Sequence, residues 1–151
     1  MSSVDIYSTP DGGYAIGYTI ADEWVEYTVD VKKEGIYSFE AVVSSGFDDS
    51  SFSLSLRTKD GLTALTEAVA VPCVVKDNWD NYAKVEGRLL VPLQKGLQVI
   101  RLTVIGSWCN IDKIKFSHVT GSGTLKGDYN SDGDVDIADI TKLIELFLNN
   151  K

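Results

Sequence analysis

Histidine occurs once in this chain, as His118, and that scarcity removes much of the usual catalytic machinery. No Ser-His-Asp arrangement or zinc-ligand spacing surrounds it. Glycoside cleavage by paired carboxylates needs two acids about 5–9.5 Å apart across a cleft, and no motif singles out such a pair. Asp48 and Asp49 lie in the polar run S-S-G-F-D-D-S and read as a solvated turn. Catalysis is not expected. Apolar runs long enough for a membrane-spanning helix, which takes about 20 residues, are also missing. Clusters of Lys and Arg are missing too: 14 basic residues against 22 acidic ones leave a formal charge of −8. That balance excludes a nucleic-acid backbone as partner. The opening M-S-S-V-D lacks the basic start and apolar centre of a secretory signal. Cysteine appears twice, as Cys73 and Cys109, and leaves two readings open. The pair forms a disulfide in an oxidising compartment, or the two are small buried residues in adjacent strands.

What is present is a pattern of short alternating segments. The chain has 151 residues, 44% of them hydrophobic, enough for one cored domain and a small appendage. Trp24–Val31 alternates, with Val25, Tyr27, Val29 and Val31 on one face and Glu26, Thr28 and Asp30 on the other. Phe52, Leu54 and Leu56 alternate with Ser51, Ser53, Ser55 and Arg57, a period of two that no helix satisfies. With Tyr14–Ile20, Ile36–Val43, Leu62–Val75, Tyr82–Val91, Leu97–Ile105 and Ile111–Phe116, this predicts roughly eight strands. The expected fold is all-β, an antiparallel β-sandwich or jelly roll. Trp24, at the head of its strand, is expected in the core. Residues 117–126, rich in Gly, Ser and Thr, read as a linker.

The tail carries a different signal. Asp128–Asp139 reads D-Y-N-S-D-G-D-V-D-I-A-D, with oxygen-bearing side chains at positions 1, 3, 5, 9 and 12 and glycine at 6. That is the spacing of an EF-hand calcium loop. Asp128, Asn130 and Asp132 wrap one side of the ion and Gly133 permits the sharp turn. Asp134 offers its carbonyl, Asp136 a contact through water, and Asp139 closes the site. Five of the chain's 22 acidic residues fall in this window and repel one another unless a cation sits among them. The bland reading is an acidic solvated turn. One short helix is expected after the loop, with Ile140, Leu143, Ile144 and Phe147 on one face, widened by Leu146 and Leu148. A helix this short is marginal alone and must pack on something. The sandwich, a second copy and a binding protein are the options.

From Gly127 to Leu148 the stretch G-D-Y-N-S-D-G-D-V-D-I-A-D-I-T-K-L-I-E-L-F-L resembles one repeat of a dockerin, a family that pairs such a loop with only the following helix and closes it with Asp. Dockerins usually carry two repeats, and this chain shows one.

The sandwich resembles the family 6 carbohydrate-binding modules over about a hundred residues. The resemblance rests on I-G-Y-T-I-A-D-E-W-V-E-Y-T-V-D-V (16–31), E-G-I-Y-S-F-E-A-V-V (34–43), N-W-D-N-Y (78–82), V-P-L-Q-K-G-L-Q-V-I-R-L-T-V (91–104) and C-N-I-D-K-I-K-F (109–116). It implies a β-jelly roll holding a sugar ring between two aromatics, with an asparagine as polar partner. Those roles fall on Tyr18, Trp79 and Asn110. Trp108 is placed to extend the platform, and Glu23 is a further polar candidate. The physics agrees: pyranose rings present apolar C–H faces to flat aromatics, and an amide both donates and accepts. Structural alternatives stand beside each role: Tyr18 in the core, Asn110 capping a turn. The family's opening strand, with an acidic pair for a structural calcium, has no counterpart before Tyr14 and is either truncated or replaced by Val4–Ser8, although Asp112 matches the acid near the last strand.

Together these imply a non-catalytic sugar-binding module (residues 1–116), a linker (117–126) and a dockerin-like segment (127–151) that binds Ca2+. The chain is then a piece of a longer secreted or cell-surface protein that degrades polysaccharide. Its partner would be a β-linked plant polysaccharide or oligosaccharide such as xylan. The alternative is an assembly or adhesion protein whose calcium-stabilised helix docks a cohesin-like protein, with the sandwich as spacer.

Overall fold

The computed structural model describes residues 4–119. The stretches in which a dockerin-like segment, its calcium ligands and a following helix are expected lie outside them, as does most of the expected linker. Ten strands are described: β1 Asp5–Ser8, β2 Tyr14–Gly17, β3 Trp24–Val31, β4 Tyr37–Ser44, β5 Ser51–Thr58, β6 Gly61–Ala64, β7 Val69–Ala70, β8 Ala83–Arg88, β9 Gly96–Gly106 and β10 Asn110–His118. They form two five-stranded sheets. One has the order β1-β2-β10-β4-β8; the other runs β3-β9-β5-β6, with β7 paired to β5.

Alternation of apolar side chains explains why the sheets face each other. Phe39, Ala41 and Val43 of β4 point inward from the first sheet, and Phe52 and Leu54 of β5 with Ile100, Leu102 and Val104 of β9 point inward from the second, all of them buried. Register fixes which residues meet. β3 pairs antiparallel with β9 from Trp24↔Thr103 to Val31↔Gly96, and β5 takes the other edge of β9, with Leu54 opposite Leu102.

Several expectations are corrected here. Tyr14–Ile20 is not one strand: β2 ends at Gly17, because Tyr18 takes φ +51° and turns the chain so that Thr19 is fully buried. Leu62–Val75 is not one strand either. Leu65 and Thr66 both donate their N–H groups to the Leu54 carbonyl (2.9 and 3.2 Å), which pulls Leu65 into the core and separates β6 from β7. Pro72 then denies the ladder a donor. Ser117 and His118, expected in the linker, belong to β10. Trp24 is not core. It shares the outer face with Glu26, half-buried beneath Arg101, whose guanidinium carbon lies 3.8 Å from the ring centroid. Its parity with Glu26 was the available signal. Cys73 and Cys109 are both free thiols, Cys109 buried and Cys73 half-buried, so no disulfide joins them. Burial pushes both thiols up from their ordinary value.

Before β2 the chain is occupied by β1, which forms a hairpin with it (Asp5↔Gly17 to Ser8↔Tyr14). The turn T-P-D-G-G closes through Thr9 N–H to Gly13 O (3.0 Å) and Gly12 N–H to Thr9 O (3.0 Å), with Gly12 at φ +85°.

Candidate functional site

Four connections gather at one end of the sandwich: residues 18–23, 45–50, 71–82 and 107–109. Short hydrogen bonds clamp them together. Trp108 N–H donates to Thr19 O (2.8 Å) and Asp77 N–H to Gly46 O (2.8 Å). Cys109 N–H donates to the buried Thr19 Oγ1 (2.9 Å), and Thr19 Oγ1 donates in turn to Cys109 O (2.9 Å). Ser44 Oγ donates to the Trp79 carbonyl. Gly46 makes one approach possible, because a Cβ there would stand 2.6 Å from the Asn78 nitrogen.

Tyr7, Tyr18, Trp79, Trp108 and Asn110 line a cleft of about 140 Å³ at this end. The rings form two edge-packed pairs. Tyr7 and Tyr18 have centroids 5.5 Å apart at 60°, and Trp79 and Trp108 have centroids 6.5 Å apart at 60°. Tyr18 and Trp108 are about half exposed, at 58% and 47%, which leaves apolar ring surface open to solvent. Both hold a left-handed backbone, φ +51° and +70°, a conformation that bulky L-residues rarely adopt. The strain sits where the two aromatics are held out from the sandwich.

The polar groups are fixed as well. Asn110 is 2% exposed, and its Nδ2 donates to Trp79 O at 3.3 Å. The Trp79 indole donates from Nε1 to Trp108 O at 3.0 Å, so the ring is tied to the neighbouring loop rather than sunk in the core. Tyr7 O–H donates to Asp80 Oδ1 at 2.8 Å and joins β1 to the loop after Trp79. That bond to Asp80, with a smaller push from burial, raises the Tyr7 phenol to about 12.

Tyr18, Trp79, Trp108 and Asn110, expected from the sequence, are thus brought to one cleft. Glu23 is not. Its carboxylate accepts the Ile20 N–H (2.9 Å) while its own N–H donates to Ile20 O (3.2 Å), closing the turn between β2 and β3. Asn110 does not cap a turn with its side chain; it stands at the start of β10. Tyr7 was missed, although two short β-runs flanking T-P-D-G-G are a legible hairpin signal. Asp128, Asn130, Asp132, Asp134, Asp136 and Asp139 lie outside the described residues. Among the described residues no group of three or more His, Cys, Asp or Glu side chains is placed to hold a metal. Asp112 lies 4.0 Å from the Lys113 ammonium.

Residues 1–118 match the model of the carbohydrate binding module family 6. No curated protein sequence matches the chain. Solved structures do. The C-terminal family 6 module of LamC, a marine laminarinase of Zobellia galactanivorans, superposes with a TM-score of 0.64 at 23% identity, covering 76% of this chain and 87% of the other. The family 6 module of lichenase 5A from Cellvibrio mixtus, solved with cellotriose, gives 0.65 at 20% identity, covering 78% and 88%. A β-1,3-glucan-binding family 6 module from Bacillus halodurans gives 0.63 at 26% identity, covering 77% and 87%.

Proposed function

The chain belongs to the family 6 carbohydrate-binding modules, non-catalytic binding domains, and on that premise we propose that it holds one ring of a β-linked plant glycan between Tyr18 and Trp79. The observation that supports this is the meeting of Tyr18, Trp79 and Asn110 on one cleft, although they lie far apart in the chain. The apolar faces of a pyranose pack on the two aromatics, and its rim hydroxyls meet the Asn110 amide on the cleft floor. Trp108 steadies Trp79 from the side through its carbonyl. The glycan is of the kind met by a secreted polysaccharide-degrading enzyme, xylan among them. The module serves such an enzyme by raising the local concentration of substrate at a tethered catalytic domain. The C-terminal pattern Asp128–Asp139 supports a calcium-binding tail of dockerin type, a proposal that rests on its ligand spacing alone.

The test is titration of soluble xylan, β-1,3-glucan and β-1,4-glucan, with and without chelator, against the wild type and Trp79→Ala. Trp79→Ala is expected to abolish binding while the thermal transition stays cooperative. Chelation is expected to empty the tail and leave sugar affinity unchanged. If Trp79→Ala binds every glycan as the wild type does, the cleft is not the site, and the reading of the sandwich as a spacer for a docking helix takes its place.

A further inference from the structure

We propose that Phe47 provides a second stacking surface, next to the cleft, for the adjacent sugar of the same glycan chain. The inference rests on the reading of the cleft as a sugar site. A cleft of about 140 Å³ is small against the roughly 300–1,000 Å³ of pockets that enclose a larger ligand, so it takes one ring and a longer chain must leave over the rim. Asp80, next to Trp79 in the chain, presents a carboxylate engaged by Tyr7 O–H. Two exposed aromatics offer apolar surface instead: Trp108, which lines the cleft, and Phe47, each 47% exposed.

The backbone puts Phe47 beside Trp108. Ser45 Oγ donates to Trp108 O at 2.9 Å and accepts the Phe47 N–H at 3.0 Å, so a single hydroxyl bridges the two residues. Gly46, the residue between, accepts Asp77 N–H at 2.8 Å, two positions before Trp79. Ser50 Oγ closes the far side of the loop on Ser107 O at 2.7 Å. A loop held at Trp108, Asp77 and Ser107 is anchored to the same segments that carry the cleft aromatics. An exposed phenylalanine on such a loop has little use for the core, since the core side of the strand that follows is already filled by Phe52 and Leu54. Its exposed ring is instead the apolar face that the second stacking position needs.

The expected consequence is affinity that grows with chain length. Titration calorimetry with mono-, di-, tri- and hexasaccharides of the β-1,4-xylose, β-1,4-glucose and β-1,3-glucose series reads it directly. In the wild type the affinity should climb from the monosaccharide to the trisaccharide. Phe47→Ala should lose roughly three- to tenfold on the trisaccharide, the scale of one aromatic contact, and nothing on the monosaccharide. Phe47→Tyr, which keeps the flat face, should restore most of the loss. The unchanged monosaccharide affinity of Phe47→Ala also reports that the cleft is folded. If the wild type gains affinity with length and Phe47→Ala gains it equally, the second subsite is overturned and the first stands. A wild type whose affinity is the same for every length also overturns it. If the wild type binds no saccharide of any series, the reading of the cleft itself fails and takes this inference with it.

Discussion

Tyr7 shows how much one side chain in the cleft rests on its partners. Its phenol, held near 12 by the hydrogen bond to Asp80, ionises later in the folded chain than in the unfolded one, whose tyrosines titrate near 10. The folded state therefore holds this proton more tightly. The resulting stabilisation is complete below pH 10 and disappears as the pH rises toward 12. Chemical denaturation across that range should show stability falling in the wild type and falling less in Tyr7→Phe. Gly17 supports the same corner by lacking a side chain: a Cβ there would stand 2.4 Å from Tyr7 Cβ and 2.9 Å from Asn110 Oδ1. Gly17→Ala is accordingly expected to cost about 1–3 kcal/mol by overpacking. It should also weaken sugar binding, because both displaced groups line the cleft. Equal stability and affinity in calorimetry would show that the strand gives way without disturbing it. Neither Tyr7 nor the importance of Gly17 was read from the sequence. Their meeting with Asn110 joins positions about a hundred residues apart.

At the scale of elements, the outer face of β3, β9 and β5 is held by one carboxylate. Glu26 accepts from Arg57 Nη1 at 2.9 and 2.7 Å and from Arg101 Nε and Nη2 at 2.9 and 2.8 Å. Burial works to raise its pKa, and the hydrogen bonds from Arg101 and Arg57 outweigh burial, so the carboxyl sits below its ordinary value of 4.5. A lowered folded-state value means stability that is present above the ordinary range and lost as the pH falls through the folded one. Glu26→Gln should thus flatten the acid limb of a stability profile measured below pH 5, with little change in far-UV signal at neutral pH. Alternation along Trp24–Val31 identified this strand and its two faces. Trp24, expected in the core, departs from that expectation by following the parity of Glu26 outward, where Arg101 of the neighbouring strand shields it. The breaks at Gly17 and Leu65 escaped the pattern for a related reason. Each is imposed by a partner elsewhere, Cys109 for Thr19 and Leu54 for Leu65.

For the whole molecule, the free thiols of Cys73 and Cys109 set a clear expectation. The sandwich stands on its buried apolar layer, so adding reductant should leave the melting temperature where it was. Thiol titration under denaturing conditions should count two reactive groups per chain without reductant. A melting point that falls on reduction would reveal a bridge instead. The sequence by itself determined the all-β class, most strand positions and the residue types a sugar site needs, because side chains alternate along a strand whatever surrounds it. It also carried the Asp, Asn and Gly spacing of Asp128–Asp139 on which the proposal of a calcium-binding tail rests, since that spacing is contiguous and needs no fold to be seen. Only the tertiary structure decided that Tyr7 joins the cleft, that Glu23 turns back on its own loop and that the cysteines stay apart. Those outcomes depend on strand order, which brings Thr19 against Cys109 and Ser45 against Trp108. Local spacing carries no record of such meetings, since they are chosen by which faces two sheets bury against each other.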